Sequence, residues 1–152
     1  MSIDDFKIEK RTFGYMVREY IGYDYIVKIP SHFNGNQIQT IGDYSFATNQ
    51  SVKHIIVPPG IKTISLYAFA ACKNLETIKL PNTIVEIFPN AFYRCDSLKT
   101  IIFDGSKKEW DKINIITSDL DDVKIKFTKS KSEISDFIDN ISENPNKELE
   151  NK

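Results

Sequence analysis

Apolar positions recur with a period of 23 residues through the middle of the chain. Residues 51–73 and residues 74–96 carry the same apolar pattern, whereas their polar positions vary freely. Repeats of this length cannot bury an apolar face alone, so they stack as coils around a continuous core. The pattern therefore predicts a solenoid. The matched pairs are Val52/Leu75, Ile55/Ile78, Val57/Leu80, Pro58/Pro81, Ile61/Ile84, Ile64/Ile87, Ala68/Ala91, Phe69/Phe92 and Cys72/Cys95.

The same register extends in both directions with one interruption. Upstream, Ile41 and Phe46 keep the spacing, but five residues are inserted within the stretch 31–37. That stretch contains Asn34 followed by Gly35, a pair suited to a tight turn with positive φ, so we predict a longer first turn in an otherwise intact coil. Downstream, the register continues to Phe103 and the alanine-phenylalanine pair then fails to recur.

Both ends of the repeat array carry sequences typical of caps. Residues 6–20 alternate apolar and polar positions, which predicts a hairpin that covers the first coil. Ser106 and Glu109 have the spacing of a capping box and predict a short helix in which Trp110 covers the last coil. Residues 123–127 alternate again and predict a strand at the far edge of the sheet.

These motifs together resemble the BspA-type leucine-rich repeats. The resemblance rests on the IP pair at 29–30, IGDYSF at 41–46, the AF..C pattern of the repeats and FDGSKKEWDKI at 103–113. It implies parallel strands, one per coil, in a family common among bacterial cell-surface adhesins and proteins of host-associated microbes, with no catalytic residues to transfer. The chain departs from the pattern at Asn49, where a cysteine is expected, and at Ser65 and Phe88, which stand in the position of Gly42.

The predicted fold class is therefore an α/β repeat solenoid: a short leucine-rich-repeat stack with one parallel strand per coil, an N-terminal β-hairpin cap and a C-terminal helix-plus-strand cap. We expect a solenoid over residues 1–127, with coils at about 23–50, 51–73, 74–96 and 97–127, and a tail over residues 128–152.

The tail has an apolar stripe at i, i+3, i+4 and i+7, which predicts a short amphipathic helix before a polar, disordered end. The helix docks either on the C-terminal end of its own solenoid or in a groove of a partner. The stripe consists of Ile134, Phe137, Ile138 and Ile141.

Composition and charge exclude several classes of partner. The chain is 41% hydrophobic and 27% charged, with a net charge of −1, values that are ordinary for one globular domain. It has no basic stripe of the kind that binds nucleic acid and no apolar run near the roughly 18 residues of a membrane helix. We therefore expect neither nucleic-acid binding nor membrane insertion. Capped sheet ends favour a monomer.

The cysteines and histidines do not form a recognisable chemical site. Cys72 and Cys95 occupy equivalent positions in adjacent coils, about 5 Å apart at the strand spacing, so a disulfide is within reach. We favour free thiols that pack as small apolar groups. The spacing lacks a CxxC pair, and His32 and His54 have no nucleophile or carboxylate at catalytic spacing. We predict no catalytic residue, no metal site and no cofactor, and a solvent-facing His54.

The outward side of the predicted strands is the candidate binding face. Ile56 and Ile102 are unusual there, since outward strand positions are ordinarily polar. Either these β-branched residues simply suit an exposed strand, or they anchor a mixed apolar and basic contact patch. The predicted protein-binding residues are Lys28, Lys53, His54, Ile56, Thr77, Lys79, Thr100 and Ile102.

The chain is therefore predicted to be a non-catalytic module that binds a partner protein through the outward face of its strands. One alternative is an intracellular inhibitor, adaptor or immunity-type protein, and the other is a fragment of a bacterial cell-surface adhesin that binds a host or matrix protein. If Met1 is the native start, the charged first residues favour the cytoplasm. If the chain is trimmed from a longer protein, a secreted or surface location is expected.

Overall fold

The computed structural model describes residues 2–128 and residue 141. Within these residues the chain winds as a solenoid of stacked coils built almost entirely from short strands. The elements are a 3-10 turn at Ile3–Asp5 and the strands β1 (Phe6–Arg11), β2 (Gly14–Tyr20), β3 (Ile26–Lys28), β4 (His32–Phe33), β5 (Asn36–Ile41), β6 (His54–Ile56), β7 (Thr63–Ile64), β8 (Thr77–Pro81), β9 (Glu86–Ile87), β10 (Thr100–Asp104), β11 (Asn114–Ile115) and β12 (Lys124–Phe127), with helix α1 (Lys107–Trp110) between β10 and β11.

One side of the solenoid is a five-stranded parallel sheet with the strand order β12-β10-β8-β6-β3. Its register places Val27, Ile55, Ile78 and Ile101 side by side, one from each coil. All four are buried, as are the equivalent residues two positions further along each strand. The predicted solenoid with parallel strands and inward apolar columns is confirmed.

A second sheet, which the sequence does not predict, forms the opposite side of the coils. Its order is β1-β2-β5-β7-β9-β11, with β4 paired to β5. The first coil contributes β5 and the later coils contribute the two-residue strands β7, β9 and β11, with Ile41, Ile64 and Ile87 aligned in register. Two residues are too few for the alternation that identifies a strand in a sequence. The repeats at 51–73 and 74–96 therefore contain two strands each rather than one.

The core between the sheets contains a ladder of aromatic rings. Phe46, Phe69 and Phe92, one from each coil, are stacked with centroid distances of 5.1 and 5.3 Å. Tyr20 of the hairpin continues the ladder, 5.1 Å from Phe46. Rings in such offset contacts gain stability beyond the apolar area that they bury. The ladder therefore ties the N-terminal cap to the repeats.

The N-terminal cap is the predicted hairpin. β1 and β2 pair in antiparallel fashion, and β2 then pairs in parallel with β5 of the first coil. The insertion forms a second, smaller hairpin between β4 and β5. Asn34 and Gly35 lie at its turn with φ of 50° and 78°, so both residues adopt the left-handed conformation that this pair tolerates.

The C-terminal cap also follows the prediction. Ser106 and Glu109 form a capping box at the start of α1. The ring of Trp110 meets Phe103 edge to face at 5.2 Å and packs against the core, and β12 adds to β10 as the last parallel strand. The predicted tail helix falls outside the described residues except for Ile141, which has helical backbone and is 1% exposed.

Candidate protein-binding surface

The outward face of the five-stranded sheet carries two columns of side chains, in the register that the repeat predicts. The first column consists of Ile26, His54, Thr77, Thr100 and Lys124. The second consists of Lys28, Ile56, Lys79, Ile102 and Lys126. We call these two columns the outward strand face. Lys124 and Lys126 of β12 extend it beyond the predicted set, and the alternation of residues 123–127 is the sequence signal for them.

The outward strand face is much less exposed than expected. Lys28 is exposed, and Lys53, Ile56 and Lys79 are half-buried. His54, which was expected to face solvent, is only 1% exposed, so that expectation is wrong. Thr77, Thr100 and Ile102 share this burial, with exposed fractions of 1%, 5% and 3%.

Burial on this face affects the charged group of Lys79 and brings His54 close to a carboxylate. The pKa of Lys79 is lowered, because burial removes water from its ammonium group, although the nearby Asp104 carboxylate acts in the opposite direction. His54 Nε2 lies 3.9 Å from a carboxylate oxygen of Glu76 in the next coil. The middle of the face is thus an environment of restricted solvent with both charge signs present.

The accessible part of the face is its first coil. Tyr25, in the residue row just before the columns, is 58% exposed, and the ammonium of Lys53 lies 5.4 Å above its ring. Tyr23 is still more exposed, at 83%. The repeat register places Tyr25 in one row with Lys53, Glu76 and Lys99, but the predicted contact set includes neither tyrosine. Tyrosine and charged side chains of this kind are frequent anchors of protein interfaces.

A separate row of tyrosines lies at the turns opposite the strand face. The rings of Tyr44 and Tyr67 are parallel within 1° and 5.0 Å apart, and Tyr93 meets Tyr67 edge to face at 6.1 Å. Tyr44 and Tyr67 adopt positive φ of 58° and 55°. The amide of Asn90 also donates to the Tyr67 hydroxyl at 3.0 Å. Because these side chains largely contact one another, we interpret the row as a cover for the turns.

The cysteine column joins one coil to the next by hydrogen bonds. Both thiols are free; Cys72 Sγ donates to the Phe46 carbonyl at 3.1 Å, and Cys95 Sγ donates to the Phe69 carbonyl at 3.0 Å. Asn49 takes the same position one coil earlier, where its Nδ2 donates to the Gly22 carbonyl at 3.0 Å. Asparagine thus supplies the same kind of bond to the preceding coil.

Residues 2–128 and residue 141 contain neither a candidate metal site nor a membrane-spanning helix. In that part of the chain, histidine, cysteine and acidic residues do not cluster in threes that could hold a metal ion. None of the helices there has the length and apolar character required to cross a bilayer.

The repeats themselves decide the family. A family model for the BspA type leucine rich repeat region, which contains six copies of the repeat, matches residues 23–142. The chain belongs to the BspA-type leucine-rich-repeat family. A comparison with curated proteins found no significant match.

Solved structures with the same fold come from several bacteria. The crystal structure of the Treponema pallidum leucine-rich-repeat protein TpLRR aligns with a TM-score of 0.68 at 21% identity, over 78% of this chain and 64% of that one. A leucine-rich-repeat protein from Bacteroides capillosus aligns with a TM-score of 0.60 at 22% identity, over 83% of this chain and 97% of that one. The chain thus spans slightly less than two thirds of TpLRR. At these identities the likeness shows the leucine-rich-repeat fold.

Leucine-rich-repeat proteins are typically protein-interaction modules, because a rigid stack frees its outward side chains from packing. In this BspA-type chain the only described side chains that combine strand-face position with high exposure lie at the first coil and at the β12 edge. A partner approaching the strand face would meet those residues first.

Proposed function

We propose that this chain is a non-catalytic protein-interaction module that binds a partner protein through the outward strand face, beginning at the first coil. The observation that carries the proposal is the accessible first coil, where the ammonium of Lys53 lies 5.4 Å from the centroid of the Tyr25 ring and Lys28 of β3 is exposed. An exposed aromatic ring with an ammonium group above it presents apolar area and positive charge on one rigid surface. Such a patch suits an acidic surface of a partner with an apolar centre.

The remainder of the predicted contact set supports the same face. Ile56 and Lys79 lie next to Lys28 in one column and retain partial exposure. Ile56 and Lys79 lie on β6 and β8, whose backbones pair with a strand on each side, so these two positions should change little on binding. We therefore assign recognition to this side of the solenoid.

Affinity capture with charge-reversal variants tests the proposal. Lys28→Glu changes the strand face, and Lys62→Glu makes the same change at another exposed lysine, which precedes β7 of the second sheet. We expect the full chain and Lys62→Glu to retain the same bound protein from a lysate of the source organism, and Lys28→Glu to lose it. Equal retention by both variants, or equal loss, would place recognition elsewhere.

Two settings suit such a module, and they differ in location. In the first it is an intracellular inhibitor, adaptor or immunity-type protein; in the second it is part of a surface adhesin that binds a host or matrix protein. Fractionation of the source cells, with an antibody against the chain, distinguishes them. Recovery in the soluble interior favours the first setting, and recovery at the cell surface or in the medium favours the second.

A further inference from the structure

The middle of the outward strand face is buried by something other than the solenoid core. Strand side chains alternate between the two sides of a sheet, so Thr77, Thr100 and Ile102 point away from the core that Ile78 and Ile101 enter. Ile102 is nevertheless 3% exposed, although it is not part of the contiguous apolar core. An open sheet face would leave these side chains accessible. A second layer of the same chain must therefore cover them.

Ile141 has the complementary property. It is the one described residue beyond Thr128, its backbone is helical, and its side chain is 1% exposed. It also lies outside the contiguous core of the solenoid. Isoleucine on an isolated amphipathic helix would be exposed on its apolar side. Both Ile102 and Ile141 are thus buried apolar residues whose cover is not the repeat core.

The length of the intervening chain allows Ile102 and Ile141 to lie in one contact region. β12 is the edge strand of the five-stranded sheet, and β6 lies three strands away, a distance of about 14 Å at the usual strand spacing. Ile141 lies thirteen positions after Thr128 in the chain. Even at the short rise of a helix this segment spans about 20 Å. It can therefore cross β10, β8 and β6 from its starting point.

The charges are also complementary. The outward strand face carries four lysines in its columns, at 28, 79, 124 and 126. The stretch after Phe127 has six acidic and four basic residues, and three of the acidic residues lie within its apolar stripe region, at positions 133, 136 and 139. An acidic amphipathic segment docked on a basic and apolar face would bury apolar side chains and place opposite charges near each other.

We propose that the C-terminal segment of this chain, residues 129–152, occupies the outward strand face of its own solenoid through its apolar stripe. This differs from both expected alternatives, the C-terminal end of the solenoid and a groove of a partner, because the covered surface is the binding face of the same chain. For the partner binding proposed above, the consequence is competition: a partner reaches His54, Thr77, Thr100 and Ile102 only by displacing the segment. The proposal on the segment does not depend on the identity of a partner.

Solvent relaxation of methyl groups tests the proposal in the full chain. A soluble gadolinium chelate broadens methyl signals in proportion to their exposure, and threonine and isoleucine methyls can be labelled selectively. Thr77, Thr100 and Ile102 report on the outward face, Ile78 and Ile101 on the core, and the exposed Thr12 gives the upper limit. In the unaltered chain we expect the outward methyls to be as protected as those of the core.

The decisive comparison uses two double variants with the same added charge. Phe137→Asp/Ile141→Asp destroys the apolar stripe, whereas Ser135→Asp/Asn140→Asp places two carboxylates beside it in a helical projection. We expect the first variant to raise the relaxation of the outward methyls several-fold, towards the Thr12 value, with the core methyls unchanged. The second variant should retain the protection.

Two results would overturn the proposal. Protection of Thr77, Thr100 and Ile102 that persists in Phe137→Asp/Ile141→Asp would show that the stripe does not cover the face. Protection that is lost from the unaltered chain on dilution would show that a second copy provides the cover. Since neither measurement requires a partner, these outcomes are independent of the capture experiment.

Discussion

The rings of Phe69 and Phe92 lie nearly parallel across two adjacent coils, with centroids 5.3 Å apart and planes inclined by 13°. Both side chains are buried, and the Phe69 amide donates to the carbonyl of Ala91, the residue just before Phe92. The aromatic contact and the backbone bond therefore connect the same two turns. In a short array each coil is stabilised mainly by its neighbours, so the loss of this contact should destabilise the whole solenoid.

Phe92→Ala should destabilise the protein strongly. Removal of a buried phenyl ring costs about 3 to 5 kcal/mol in lost contacts and cavity formation. Loss of so much stability should shift the midpoint of urea unfolding to much lower denaturant or leave the chain unfolded. The control is Tyr93→Ala, since Tyr93 is the next residue and is 47% exposed. Similar midpoints for the two variants would contradict the stacking of coils described above.

Gly42 and Ser65 stand at equivalent positions in successive coils but have different neighbours. A Cβ added at Gly42 would lie 2.7 Å from the Val17 carbonyl oxygen and 3.0 Å from Met16 Cε. The Val17 carbonyl is fixed there because it accepts a hydrogen bond from the Gly42 amide. The N-terminal hairpin thus requires glycine in the coil that it covers. Interior coils lack that hairpin and accommodate Ser65 and Phe88.

Gly42→Ala should therefore destabilise the chain by about 1 to 3 kcal/mol, the usual cost of overpacking. Ser65→Ala, the matched change one coil later, should have a much smaller effect because a Cβ is already present. Urea denaturation of both variants measures the difference. Equal stability of Gly42→Ala and the unaltered chain would mean that the hairpin is not closely packed against the first coil at Gly42.

Much of this fold could be predicted from the sequence because stacking forces equivalent residues into columns. Val52, Leu75 and Leu98 are all buried, as the 23-residue period requires. The C-terminal cap could also be predicted from the sequence, since Ser106 and Glu109 form a local motif. The second sheet was not, because strands as short as Thr63–Ile64 contain too few residues to alternate.

The accessibility of the candidate site was less predictable for a different reason. Alternation along a strand tells which side of a sheet a residue faces, and the columns of Thr77 and Lys79 were correct in this respect. It does not tell what lies above that side. The burial of His54 and Ile102 depends on contacts distant in sequence, which a local period cannot encode. The row that holds Tyr25 and Lys53 follows from the repeat register, but the register does not tell that Tyr25 is the exposed member of the pair.

The buried thiols make the stability of the fold depend on alkaline pH. Burial is the main cause that raises the pKa of Cys72 from 9.0 to about 12, while a backbone hydrogen bond from Asn49 acts in the opposite direction. Burial also raises the pKa of Cys95, and that of Tyr20 to about 12. The folded state therefore keeps protons that the unfolded chain releases above pH 9, which favours unfolding as the pH rises.

We expect the free energy of unfolding to be fully retained below about pH 9 and to decrease between pH 9 and pH 12, with each buried thiol contributing about 1.4 kcal/mol per pH unit. Cys72→Ala removes one of these groups, so the stability of this variant should fall less steeply over that pH range. At pH 7 the variant should be less stable than the unaltered chain, because the hydrogen bond to the Phe46 carbonyl is lost. Urea unfolding at pH 7, 9, 10 and 11 compares the two slopes. Parallel pH profiles for Cys72→Ala and the unaltered chain would show that the Cys72 thiol ionises as readily in the folded state as in the unfolded one. The cysteines would then be accessible to solvent rather than buried between coils.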